Sequence, residues 1–407
     1  MKKILTLIGL MLIVACSVLI VASCENTDWG EGDGDPSLLE YELSEDGTYY
    51  IVAGIGDYVG EHLVIPEEYN GLPVKKIAQD AFSEQDGKDN SALLAIKAIT
   101  IADSVTEMGK YMSFTDTNIE QLNLGSGVSE SIISWSFGMS NNLKAINVSK
   151  DNQTYMSKDG VLYTKDGTEL LKYPQQKEDK SFRIPRSVKK IGLTAFSGNK
   201  NIKKVKMSNH LTTIGAKAFY RTTLEEIKIP NSVEIIESDA FDSCRNLKKV
   251  NIGKNVKAIG NGAFNYTGIE EIKLPDNIEI LGLGAFESCD NLKKIHIGSG
   301  IKEIAAYTFE NCSSLENVVI PKNIEKIGTY AFAYCDNLTK VYYEGNEDEW
   351  VNVQLVTMIY DGIWDITRYD QPIFSDNTQI YIYSKKRPNS EGNYWRYVVG
   401  VPTAWKN

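Results

Sequence analysis

The chain has 407 residues, with 54 acidic against 43 basic side chains and a formal net charge of −11. A balance this acidic excludes general nucleic-acid binding and suits a soluble, surface-displayed protein. There are three histidines (His62, His210 and His296) and no His-Glu-x-x-His, Gly-x-Ser-x-Gly or phosphate-loop spacing, so no catalytic residue, metal or cofactor is expected.

Met1-Lys2-Lys3 and the apolar run to Ala22 read as a secretory signal over residues 1–23. Val21-Ala22-Ser23-Cys24 resembles a bacterial lipobox and sits where polarity begins, which makes Cys24 the expected lipidation residue. Cys16 fits more loosely, because cutting there leaves an exposed apolar stub. The alternative is an uncleaved anchor, since the run is nearly long enough to span a bilayer. Loss of the signal takes two lysines and no acid, leaving a mature charge near −13. Residues 24–37 are acidic and Gly-rich, with little to bury, and are expected to form a flexible tether. Residues 38–92 then hold an N-terminal cap and a first coil, marked by Val74, Ile77, Ala81 and Phe82.

From residue 93 to 343 the chain repeats itself. Weak markers stand at Phe114 and Phe137, and clear ones at Phe196, Phe219, Phe241, Phe264, Phe286, Phe309 and Phe332, a step of 22 or 23 residues. A period in this range is the signature of a stacked solenoid. In one copy, Leu247, Val250 and Ile252 alternate with polar residues as a short strand does. Gly253 ends the strand, in a slot that other copies fill with Pro230, Pro275, Gly298 and Pro321. Val256 and Ile259, a turn at Gly260 and the Ala263-Phe264 pair complete the coil. One coil buries about six apolar side chains at roughly 1.5–3 kcal/mol each. Ordering it costs about 1–2 kcal/mol for every residue, so coils are stable only when stacked and capped.

A finer alternation runs through the copies. Lys203-Lys204, Lys248-Lys249 and Lys293-Lys294 open the strands of alternate coils, with Glu225-Glu226 and Glu270-Glu271 between them. Stacked about 4.8 Å apart, these pairs form an alternating charge ladder that sets strand register. The duplicated unit is therefore read as a 45-residue double repeat. Between Phe137 and Phe196 the spacing widens to 59, and Val161 to Leu171, with Asp166-Gly167 at its centre, reads as a β-hairpin within an insertion at about residues 152–181.

The recurring Val-x-x-Ile-Gly, Ala-Phe-x-x-Cys-x-x-Leu pattern resembles the BspA-type leucine-rich repeats of bacterial surface proteins, from about Leu38 to the C-terminus. Tyr69-Asn-Gly-Leu-Pro-Val74 is similar to the opening of such regions. Gly392-Asn-Tyr-Trp395 and Gly400-Val-Pro-Thr-Ala-Trp405 are similar to their closing module. The resemblance implies a β-rich solenoid, a right-handed leucine-rich-repeat superhelix of 22–23-residue coils with short parallel strands and a cap at each end. Its asparagine ladder is partial: Asn255, Asn277, Asn323 and Asn346 fill the slot, but His210, Ser232 and Gly300 do too. The resemblance further implies an elongated extracellular scaffold for adhesion, with no shared catalytic residues.

Residues 344–407 leave the repeat and hold Trp350, Trp364, Trp395 and Trp405. They read as a cap plugging the end of the core or as an aromatic contact surface. Cys244, Cys289, Cys312 and Cys335 each follow a marker Phe by three residues, a repeat slot for small buried side chains and not a zinc spacing. Disulfides between coils are the alternative.

These readings point to a lipid-anchored, monomeric cell-surface protein whose concave sheet contacts a protein or glycan on a host or neighbouring cell. Lys206, Lys228, Asn251, Lys273, His296, Val319 and Tyr342 form one outward column, in which Lys206, Lys228, Lys273, His296 and Tyr342 are candidate contacts, with Trp364 and Trp395 in the closing module. A structural envelope spacer is the second reading. A glycan hydrolase built on the acidic pairs is the third, and those pairs already have ladder partners.

Overall fold

A computed structural model describes residues 29–79, 81–82, 91–109, 117–129, 142–356, 373–374, 377–385, 392–398 and 401–405. The signal, Cys16, Cys24, Phe114, Phe137 and Trp364 lie outside them.

Each coil contributes one short strand to each of two faces. The first face carries Lys204–Lys206, Glu226–Lys228, Lys249–Asn251, Glu271–Lys273, Lys294–His296, Asn317–Ile320 and Lys340–Tyr343. The second carries Lys190–Ile191, Thr213–Ile214, Ile235–Ile236, Ala258–Ile259 and Ile280–Leu281, then Glu303–Ile304 and Lys326–Ile327. Pairing between successive coils is parallel and in register on both faces, interrupted once on each, between Lys249–Asn251 and Glu271–Lys273 and between Ile280–Leu281 and Glu303–Ile304. The alternation of three-residue strands places Val205, Ile227, Val250 and Ile272 inward and their neighbours outward.

Along the remaining edge the marker rings stack. From Phe196 to Phe332 successive centroids lie 4.9–5.7 Å apart with planes within 20°. Tyr173 extends the column at one end (4.8 Å from Phe196) and Phe374 at the other (5.1 Å from Phe332). Tyr173 thus fills the ring slot 23 residues before Phe196, so part of the apparent gap is a coil with Tyr in place of Phe. The proline and glycine slots are coupled as well. A side chain at Gly253 or Gly298 would meet the carbonyl of Pro230 or Pro275 in the preceding coil at 2.3 or 2.2 Å, which explains why Pro and Gly alternate.

The cysteines are buried free thiols that close the turn after each ring. Cys244 Sγ donates to Phe219 O (2.9 Å), Cys289 to Phe264 O (3.2 Å), Cys312 to Phe286 O (3.2 Å) and Cys335 to Phe309 O (3.1 Å). Asn199 occupies the same slot one double repeat earlier. Fully buried, it donates to Pro174 O (2.9 Å) and accepts from Ile202 N (2.8 Å). The expected asparagine ladder is not a buried ladder: Asn255 and Asn277 are exposed, and Asn346 caps the Glu347–Val351 helix. Each of those two precedes an inward residue (Val256, Ile278), and alternation turns it to solvent.

The insertion is a three-stranded antiparallel meander, Tyr155–Lys158, Val161–Thr164 and Glu169–Lys172, with Asp166-Gly167 in its second turn. It separates two cores. Leu162 packs into one that begins at Leu39, while Val161, Tyr163 and Leu170 pack into the other, which runs to Ile373.

The tether expected over 24–37 is corrected in its described part. Asp33 accepts from Glu61 N (3.0 Å) and His62 N (2.9 Å), and its own N–H reaches His62 O. These bonds hold the Asp33 carboxyl below its ordinary range. The acidic segment thus caps the open edge of the first coil, satisfying backbone donors that no earlier coil can reach.

Candidate binding site

The outward side of the first face carries two columns. One is the charge ladder: Lys204 pairs in register with Glu226, and Glu226 with Lys249. Its ions meet as expected, Lys203–Glu225 at 2.7 Å, Lys204–Glu226 at 2.8 Å, Lys248–Glu270 at 3.6 Å and Lys294–Glu271 at 3.5 Å. A second ladder on the other face escaped the sequence reading: Lys257–Glu234 at 2.8 Å, Lys326–Glu303 at 2.8 Å and Lys302–Glu325 at 2.9 Å.

The neighbouring column holds the candidate residues. Lys206 lies beside Arg183, Lys228 beside Asn251, and Lys273 beside His296, which pairs in turn with Val319 and Val319 with Tyr342. Arg183, Lys206, Lys228, Asn251 and Lys273 are exposed. Among the described residues, no carboxylate lies within ion-pair distance of Arg183, Lys206, Lys228 or Lys273. The ladder neutralises itself and this column does not. Arg183 was missed because it lies in the strand just after the insertion, before the clear markers begin.

Toward the C-terminus the column is covered. Gln379–Tyr383 adds a parallel strand beside Lys340–Tyr343, then Tyr394–Val398 and Val401–Ala404 form a hairpin. That hairpin folds back over the outward face. Trp395, fully buried, rests on Val319 and Tyr342 and donates from Nε1 to Tyr343 O (2.9 Å). Tyr342 and Trp395 are therefore not exposed aromatics: they seat the hairpin. Trp350, Val353 and Phe374 meanwhile pack against the end of the core, so one segment plugs the solenoid and another folds onto its face.

The overhang creates a cleft of about 840 Å³. Its floor is Asn251, Lys273, His296 and Asn317 together with the ion pair Glu271–Lys294, and its wall is Tyr397 and Pro402 from the hairpin. Tyr397 is held on three sides, by Trp395 (4.8 Å), by Tyr383 (6.4 Å) and by a 2.5 Å hydrogen bond from its hydroxyl to Glu344. Burial, then that bond, raises its pKa and keeps it protonated. Burial holds His296 below its ordinary value, with Lys273 acting the same way and Glu344 and Asp276 opposing. At neutral pH it presents an uncharged imidazole. A smaller cleft of about 370 Å³, lined by Ser299, Lys322, Asn323 and Glu344, opens on the other side of Tyr397. Sequence reasoning missed Tyr397 and Pro402, although both lie in the closing module that it had singled out.

Among the described residues no group of three His, Cys, Asp or Glu side chains is placed to hold a metal ion, and no helix is long and apolar enough to cross a membrane. What the arrangement can do is bind: fixed donors on a rigid sheet beside one fixed ring.

Stacked parallel coils with leucine-type inward slots, a ring column and an open sheet face define a leucine-rich-repeat solenoid. The chain belongs to the BspA type leucine rich repeat family, whose pattern matches residues 72–160, 173–292 and 257–350 in six copies. No curated protein matches it in sequence. Solved structures similar to it include a leucine-rich repeat protein from Bacteroides ovatus, at 19% identity and a TM-score of 0.48 over 84% of this chain and 98% of that one. One from Eubacterium ventriosum has 20% identity and a TM-score of 0.44 over 84% and 99%. A leucine rich cell surface protein from Faecalibacterium prausnitzii has 19% identity and a TM-score of 0.41 over 81% and 99%.

Proposed function

We propose that this is an extracytoplasmic, lipid-anchored binding protein of a bacterial surface, which holds a protein or glycan of a host or neighbouring cell against the outward face of its first sheet. The observation that carries the reading is the walled cleft: a purely structural spacer has no need for a hairpin folded back over one sheet with its ring set beside the unpaired Lys273. The lipid anchor rests on Val21-Ala22-Ser23-Cys24, and Cys24→Ala is expected to release the protein from the membrane fraction or block its processing. Retention of that variant, with Cys16→Ala giving release, would move the anchor.

The face is tested by presenting wild-type protein to arrays of surface glycans and proteins beside a Lys206→Glu/Lys228→Glu/Lys273→Glu variant. A control reverses Lys189 and Lys257 on the second face. The first variant should lose the wild-type hits and the control should keep them. Hits retained by the first variant and lost by the control would place the contact on the wrong sheet.

A further inference from the structure

Resting on that binding reading, we propose that the face takes an acidic polysaccharide, uronate- or sulfate-bearing, laid across the strands along the Arg183–His296 column with one sugar ring against Tyr397. From the Arg183 strand to the His296 strand the column crosses six strands, a length of about 24 Å at the usual strand spacing. No acid interrupts the column: its outward members are Arg183, Lys206, Lys228, Asn251, Lys273 and His296. Its cations therefore recur every 5–10 Å or so. That spacing suits a linear chain with regularly placed anions and not a single compact one. The columns of the ladder beside it alternate in sign and pair internally, so they add no competing field of one sign.

Two further observations favour a sugar chain over an acidic peptide. The strands beneath the column are paired, save at one seam where Lys249–Asn251 lies directly beside Glu271–Lys273 without a ladder, so an extended peptide finds no open backbone edge there to join. The free edge of the hairpin is blunted, because Pro402 removes an outward-facing donor from it. The cleft instead offers side-chain amides (Asn251, Asn317), a neutral imidazole and one aromatic ring braced by Trp395, the set that matches hydroxyls and the C–H face of a pyranose.

The test uses the full-length protein in detergent micelles, titrated with polygalacturonate, dextran sulfate, neutral dextran and poly-L-glutamate. One or both acidic polysaccharides should bind, weakening steeply with salt, and dextran should not. Reversing Arg183, Lys206, Lys228 and Lys273 to Glu together should weaken that binding by about a hundredfold or more. Tyr397→Ala should cost roughly three- to tenfold, while Tyr397→Phe, which keeps the ring and lets the hairpin stay seated, should bind nearly as wild type.

Equal affinity for poly-L-glutamate with no effect of Tyr397→Ala would overturn the polysaccharide assignment and leave the face as a site for acidic peptide. Undiminished binding by the charge-reversed protein would overturn the assignment and the choice of face together. Failure of both acidic polysaccharides to bind wild type would overturn the assignment alone, since the array experiment reads the face independently.

Discussion

Replacing Trp395 with Ala is expected to loosen the hairpin from the solenoid without opening the core. The indole is fully buried, and its Nε1 gives Tyr343 O a 2.9 Å hydrogen bond. Truncating a buried Trp typically costs about 3–5 kcal/mol, and leaving the Tyr343 carbonyl unpaired adds about 1–3 kcal/mol. The other ties are the backbone bonds to the neighbouring strand (Ile382 N to Asn393 O, 2.8 Å; Ser384 N to Trp395 O, 2.9 Å) and the side-chain bonds Tyr397 to Glu344 (2.5 Å), Tyr394 to Glu347 (3.1 Å) and Trp405 to Ser384 (3.2 Å), the first two of these side-chain bonds being exposed. Such bonds contribute about 0.5–3 kcal/mol each, and an isolated hairpin is marginal in water. The loss is therefore comparable to what the remaining bonds supply, while the buried solenoid side chains on which Trp395 packs are Val319 and Tyr342. Local release is expected, with the melting temperature of the solenoid nearly unchanged. Hydrogen exchange should show the Tyr394–Val398 and Val401–Ala404 strands losing protection while Phe264 and its neighbours keep theirs, and Trp395→Phe should restore most of it. Unchanged protection of the hairpin, or a fall in melting temperature shared by the whole chain, would refute the reasoning.

Lys172 is fully buried, with Thr194 O at 3.4 Å as its hydrogen-bond acceptor, and burial lowers its pKa from 10.5 to about 8. The folded state then gives up a proton between pH 8 and 10.5 that the unfolded state keeps, so stability should rise over that window. Lys172→Met should be more stable on the order of 3 kcal/mol at pH 7, with the gain fading toward pH 10.5; denaturation at several pH values checks it, and a flat wild-type profile would sink it. Changing Glu225 and Glu226 to Lys stacks like charges on three successive coils, and calorimetry should show a lower melting temperature, most clearly at low salt; no change at low salt would mean that the ladder does not set register. Cys244, Cys289, Cys312 and Cys335 should resist a thiol reagent in the native protein and all react after denaturation, since burial pushes the Cys244 thiol up to about 12; fewer than four reactive thiols in the denatured, unreduced protein would mean cross-linked coils.

The period, the ring column, the Pro and Gly slot, the thiol slot and the Lys–Glu ladder were all legible in the sequence. Each is a local pattern repeated every 22 or 23 residues, and stacking places equal slots beside one another. The same logic gave the Lys206–Tyr342 column, because strand alternation decides which side chains point out. Where the repeat stops, that logic stops with it. Nothing local shows that Asp33 closes the first coil, that Tyr173 stands in for a Phe, or that Lys172 is buried where most of the described lysines face water. Above all, the exposure of Tyr342 and Trp395 depended on a contact between Val319 and Trp395, 76 residues apart and outside any repeat. Sequence alone determined the scaffold and the direction of its side chains. The tertiary structure alone decided which part of that face stays open, because burial of a surface residue is set by whatever chain returns to cover it.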